Sequence, residues 1–223
     1  PEGPEEYASL ELWCPSDDVN VGVLVDDLGY TCGLQIALRK ENLTEIAFDL
    51  DIVGLTNWTV TLNDVSYEYW TIIQYFISGE SLATDSKIRA ASRNASNFLQ
   101  EPYIYLTGPY KKISKVSTDP SKFGESNFTK QKCIAGMGTH HYYNMTKETV
   151  CESEYMYPWF VIEDRGQITG TGFFIHAKRS FPSTKLNYME RYYTISDLES
   201  VFLAASDCVF KYGNNPGLLE VHI

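Results

Sequence analysis

No apolar run in this sequence reaches the length a membrane-spanning helix requires, so no such helix is expected. Positive charge is scarce too. Against 29 Asp and Glu there are 18 Lys and Arg, a formal net charge of −11, and no basic block is longer than the two residues of Lys111-Lys112. Phosphate-rich partners need Lys and Arg to replace their counterions, so nucleic acid and anionic membrane surfaces are poor candidates. Catalytic signatures are missing: there is no Gly-x-Ser-x-Gly elbow, His-Glu-x-x-His pair, phosphate loop or dinucleotide fingerprint. No catalytic residue is therefore predicted. No Cys-x-x-Cys occurs, which removes support for zinc ribbons and thioredoxin-type chemistry. Internal repeats and low-complexity tracts are absent, and His is limited to 4 residues.

Sequons and cysteines are what the chain does have. Asn42-Leu43-Thr44, Asn57-Trp58-Thr59, Asn94-Ala95-Ser96, Asn127-Phe128-Thr129 and Asn144-Met145-Thr146 are five N-glycosylation acceptors, where roughly one or two would arise by chance. Together they point to a secretory lumen or the cell exterior. The chain opens on Pro1-Glu2-Gly3-Pro4-Glu5-Glu6, which reads as a processed start. Cys14 and Cys32 lie 18 apart, as do Cys133 and Cys151. In Ser9–Cys14 and Cys32–Leu38, period-two phasing turns both thiols toward one core. Five cysteines allow fifteen two-bridge connectivities; the expected bridges are Cys14–Cys32, on this phasing, and Cys133–Cys151, on the equal spacing. Cys208 is left over, as a buried thiol or a bridge to a second chain that would give an oligomer.

Alternation of apolar and polar residues dominates the first third and predicts half-buried strands. Val19, Val21, Val23 and Val25 share a face, and Asp26-Asp27-Leu28-Gly29 turns the chain into Tyr30–Leu38. The acidic pairs Asp17-Asp18 and Asp26-Asp27 read as solvated turns. Ile46, Phe48, Leu50 and Ile52 alternate likewise, predicting another strand. After Gly54, Trp58, Val60 and Leu62 face in, which puts Asn57 on the outward phase. Val65–Ile77 is apolar on both phases, as for a strand covered on both sides.

Residues 79–100 change to helical spacing, with Ile88, Ala91, Ala95, Phe98 and Leu99 as the stripe. A loop-rich stretch over 100–132 follows, punctuated by Pro102, Gly108-Pro109 and Asp119-Pro120, with short strands at Tyr103–Leu106 and Ile113–Val116. Pro158–Glu163, the Asp164-Arg165-Gly166 turn and Gln167–Ala177 form the clearest hairpin. A strand over Leu186–Thr194 is expected next. Ser196-Asp197-Leu198-Glu199 has capping-box form and starts a C-terminal helix near 197–208, with Leu198, Val201, Phe202 and Ala205 on its packed face. Leu218–Ile223 ends the chain as a strand. The expected fold is mainly β (α+β): an antiparallel sandwich or curved half-barrel with one or two packed helices. One β-rich domain over 1–223 is expected, with a two-half organisation as the alternative, divided near 100–132.

Cys133–Asn144 holds two Gly, two His and two Tyr. If it is extended with Asn144 outward, His140 and Tyr142 face out, and His141, Tyr143 and Met145 face in. His141 and His176, with His140, form the candidate metal set, and zinc or copper suits imidazole ligands. Gly170 and Gly172 share a strand phase and leave room for a ligand or a packed aromatic. Tyr103, Tyr105, Tyr110, Tyr142, Tyr157 and Trp159 are the candidate binding aromatics, since Tyr and Trp give large contact area at low entropy cost. These features point to a secreted, N-glycosylated, non-catalytic protein that recognises another protein or a glycan. Two alternatives stand beside it: an extracellular carrier of a small apolar ligand in a β cup, and a metal-dependent secreted enzyme using His141 and His176. No cofactor beyond N-glycans is predicted.

Overall fold

The computed structural model describes residues 4–16, 18–93, 101–180, 190–192 and 194–223. The first half supplies strands β1 (Glu11–Trp13), β2 (Val21–Val25), β3 (Thr31–Arg39), β4 (Leu43–Thr44), β5 (Thr56–Leu62), β6 (Val65–Tyr75), β7 (Tyr103–Thr107) and β8 (Ile113–Ser117). The second supplies β9 (Phe128–Ile134), β10 (Gly138–Tyr143), β11 (Trp159–Asp164), β12 (Gln167–His176), β13 (Lys178–Arg179), β14 (Glu190–Tyr192) and β15 (Leu218–His222). Two antiparallel sheets result, in the orders β1-β2-β3-β6-β7-β8 and β14-β15-β12-β11-β10-β9, and β4 pairs with β13. They pack face to face as a sandwich, and neither closes into a barrel.

Hairpin chemistry explains much of this order. Arg165 (φ 52°) and Gly166 (φ 76°) close β11 on β12, and Asn63 (φ 51°) and Asp64 (φ 62°) close β5 on β6. Two residues with positive φ match the twist of adjoining strands. β6 is the longest strand and is covered on both sides. Ile72 joins Ile36, Leu38, Ile104 and Leu106 against Trp159, Val161, Phe173 and Ile175 of the second sheet. Ile73 and Tyr75 face the other way, under Tyr7, Leu10 and Leu82. The second sheet is also doubly covered. Helices α4 (Ile195–Val201) and α5 (Asp207–Tyr212) bury Leu198, Val201 and Val209 on its outer side.

Helices α1 (Leu50–Val53), α2 (Gly79–Leu82) and α3 (Ser86–Ser92) complete the described α-helices. α1 replaces the strand expected from alternation at Ile46–Ile52. The Asp49 side chain accepts from the amides of Asp51 and Ile52, and Gly54 (φ 115°) caps the other end, so capping overrides a two-residue period. In α3 the expected stripe is rotated: Ile88 is exposed and Arg89 is buried. Arg89 and Arg93 both pair with Asp26, at 3.8 and 2.6 Å. Asp26 is therefore buried, not solvated, and its other oxygen holds the β2–β3 turn through the amides of Leu28 and Tyr30. At the C-terminus the capping box is formed by Thr194 and Asp197, not Ser196 and Glu199. The predicted continuous helix breaks at Phe202 and restarts at Asp207. Most of the strand predicted at Leu186–Thr194 lies outside the described residues.

Both expected disulfides are corrected. Cys151 bonds Cys208, with Cα atoms 6.0 Å apart, so Cys208 is neither free nor available for a second chain. Cys14, Cys32 and Cys133 are free thiols. Cys133 sits exposed on β9. Cys32 is the extra residue of a β-bulge, because Leu24 pairs with Gly33 but Val25 with Thr31. A bulge breaks the alternation on which the phase match with Cys14 rested. Burial pushes the Cys32 thiol up to about 11, so it stays protonated.

Candidate functional site: a cleft where two strands part

One edge of β6 carries β3. The other is shared, with β5 paired as far as Thr71 and β7 beginning at Gln74. Between them, at Ile72 and Ile73, the sheet parts, and a cleft of about 390 Å³ opens there. Thr56, Thr71, Ile73, Tyr75 and Thr107 line it, with Gly54 from the end of α1, Lys111 from the β7–β8 turn and Pro4 from the N-terminal segment. This volume falls in the range of small-ligand sites.

The walls are locally determined. The Thr71 hydroxyl donates to the Thr56 carbonyl (3.2 Å) and that of Thr107 to the Ile73 carbonyl (2.8 Å). Each hydroxyl keeps lone pairs as an acceptor. The Tyr75 ring stacks on Tyr7 with centroids 3.7 Å apart. Tyr75 is 1% exposed, yet its hydroxyl has no hydrogen-bond partner. Burial, with the nearby Tyr7 and Glu6, holds that phenol well above its ordinary value, so it remains a donor. A buried polar group left unsatisfied is costly and calls for a reason.

The rim is strained. Tyr110 (φ 56°) and Lys111 (φ 60°) both occupy the left-handed region, which bulky side chains rarely adopt. The turn is wedged between two close approaches. A Cβ on Gly54 would lie 2.1 Å from the Gly108 carbonyl oxygen, and one on Gly108 would lie 2.1 Å from the Tyr157 ring. Lys111 pairs with Asp51 of α1 at 2.8 Å, and the Tyr110 hydroxyl donates to Glu154 at 3.1 Å. Asp51 therefore balances the Lys111 charge at the rim.

The sequence-predicted site residues fall mostly elsewhere. Tyr105, Tyr142, Tyr157 and Trp159 are buried and belong to the packing; Tyr103 is half-buried and Tyr110 is exposed. His140 and Tyr142 share the outer face of the second sheet, as the alternation implied, but Phe202 covers it, 4.9 Å from the Tyr142 ring. Asn144 reaches solvent because it leaves the strand at φ 45°. His141 and His176 cannot share an ion. By register Tyr142, Phe160 and Gly172 are partners, which puts His176 on the outer face and His141 on the inner. His141 lies beside Phe123 and 3.9 Å from Glu163, and burial lowers its pKa. His176 is packed against Phe48 and Phe174. Gly172 makes room for an aromatic: an added Cβ would lie 1.9 Å from the Phe160 ring.

Asn57, Asn127 and Asn144 are exposed and Asn42 is half-buried, while Asn94 lies outside the described residues. Asn57 stands next to Thr56 on β5, so its side chain points away from the cleft side. No helix among the described residues is long and apolar enough to cross a membrane. Comparison with family models, curated proteins and solved structures finds no match to this chain. Sequence reasoning missed Thr56, Thr71, Tyr75 and Thr107 as a group. Gly54 and Gly108-Pro109 were the signals at hand, but glycine spacing does not reveal which strands share an edge.

Proposed function

We propose that this chain is an extracellular, N-glycosylated, non-catalytic protein that binds a neutral sugar unit of a glycan in the cleft between β5 and β7. The observation that carries it is Tyr75, which lines a cleft of ligand size and whose buried hydroxyl has no hydrogen-bond partner. Sugars alternate hydroxyls with C–H faces. The cleft offers matching chemistry in Thr hydroxyls, the Tyr75 donor and the apolar surfaces of Ile73 and Tyr75. Neutral ligands suit it better than anions, since Lys111 is already paired with Asp51 and the chain carries −11 overall. The space between the sheets is filled by Trp159, Phe173 and their neighbours, so the cleft is the better-formed place for a ligand than an interior cup.

The test is a glycan array probed with the purified chain, followed by Tyr75→Phe. That substitution removes a group unsatisfied in the fold, so stability should hold or rise slightly. Affinity for array-positive glycans should fall about tenfold, the scale of one buried hydrogen bond. An array with no neutral-glycan signal, or signal untouched by Tyr75→Phe, would contradict the proposal. A protein partner is the second reading, favoured by Tyr110 and Tyr155, which are 56% and 54% exposed. On that reading Tyr110→Ala weakens binding and Tyr75→Phe does not. Expression through a secretory pathway should add sugar at Asn57, Asn127 and Asn144, seen as one lost mass step for each Asn→Gln variant. Secreted protein of unmodified mass would contradict the N-glycosylation assignment.

A further inference from the structure

We propose that His140 and His222 form a two-imidazole site for a late first-row divalent cation, zinc or copper. The two residues lie on β10 and β15, which are not neighbours: β11 and β12 stand between them. Their rings nevertheless meet, with Nε2 atoms 3.2 Å apart and ring planes at 82°. The register explains how. Gly172 is the partner of both Phe160 and His222, and His140 is the partner of Ile162. All lie on the outer face. At Gly172 no side chain rises, so the Phe160 ring lies over it, and the imidazoles approach one another with centroids 5.3 and 5.1 Å from that ring.

Three features fit a cation held between these nitrogens. Zn–N bonds of about 2.0–2.1 Å at a tetrahedral angle place two ligand nitrogens about 3.3 Å apart, close to the observed separation. The orientation of His140 is set from behind, because its Nδ1 lies 3.2 Å from the Gly138 carbonyl. An Nδ1–H donated to a backbone carbonyl leaves Nε2 as the lone-pair atom and directs it at His222, a pattern found behind metal-bound histidines. Gly138 is itself fixed: its φ is 124°, and a Cβ there would lie 2.7 Å from the Glu163 carbonyl oxygen. Finally, His140 is fully buried while His222 is partly exposed, so the His222 side is the side from which an ion can approach.

No group of three described His, Cys, Asp or Glu is placed to hold an ion. The expected site is therefore a two-nitrogen chelate of micromolar affinity rather than a closed structural centre. Isothermal titration of the chelator-treated full chain with zinc chloride should give one site per chain. His222→Ala should weaken it at least tenfold, while His141→Ala leaves it unchanged; thermal melts of each variant check the fold. Copper(II) loading adds a readout independent of stability, since pulsed electron paramagnetic resonance should show two equivalent imidazoles, reduced to one in His222→Ala. Absence of a 1:1 isotherm below about 100 µM, a single-imidazole spectrum in the parent chain, or equal affinity in His222→Ala would overturn the proposal. The site is on the second sheet, so its fate is independent of the cleft on the first.

Discussion

Replacing Cys151 and Cys208 together by serine is expected to lower the folding free energy by about 4 kcal/mol, the chain-entropy value for a closed loop of this length. The bridge spans 57 residues. It ties the segment after β10 to α5, which with α4 covers the outer side of the second sheet. Without it, the unfolded chain gains freedom while the folded contacts of Leu198, Val201 and Val209 remain, so the loss should appear in equilibrium unfolding as a lower urea midpoint. Cys133→Ser is the control. That thiol is exposed and unpaired, and its replacement should leave the midpoint in place. The reverse pattern, with Cys133 essential and Cys208 dispensable, would restore the Cys133–Cys151 pairing that spacing suggested.

Acidification from pH 7.5 to 5 should cost about 2 kcal/mol through His176 alone. The ring is fully enclosed, its Nε2 has no hydrogen-bond partner, and burial lowers its pKa to about 3. The unfolded chain, with an ordinary imidazole near 6.5, takes up the proton first. Stability is therefore complete above pH 6.5 and falls as the pH drops from there toward 3. His141, also depressed by burial, acts in the same direction. His176→Phe fits the aromatic surroundings of Phe48 and Phe174 and removes the titrating group. Its unfolding free energy should change less between pH 7.5 and 5 than that of the parent chain, by the same 2 kcal/mol. Equal pH slopes in the two proteins would show that His176 is not held neutral by the fold.

Much of the architecture was legible because strands covered on one or both faces write their period into the sequence. β2 and β5 follow their alternation, β6 its apolar run on both phases, and the β2–β3, β5–β6 and β11–β12 hairpins their turns. The failures have specific causes. Alternation at Ile46–Ile52 gave way to the Asp49 cap and the left-handed Gly54. The thiol phase match failed at the Cys32 bulge. His140 and Tyr142 lie on the outer face of their sheet, but a helix layer buries that face. His222 was passed over because nothing local indicates that it meets His140, 82 residues away. The cleft was the least legible of all. It arises because β5 and β7 divide one edge of β6, and that division belongs to long-range pairing rather than to any segment.

The cleft's role as the binding site is tested most directly by amide NMR of the isotopically labelled chain, titrated with neutral di- and trisaccharides. Saturable shifts should centre on Thr56, Thr71, Thr107 and Lys111 and need about tenfold more sugar to saturate in Tyr75→Phe. No saturable shift at millimolar sugar, or shifts confined to the second sheet, would contradict the assignment.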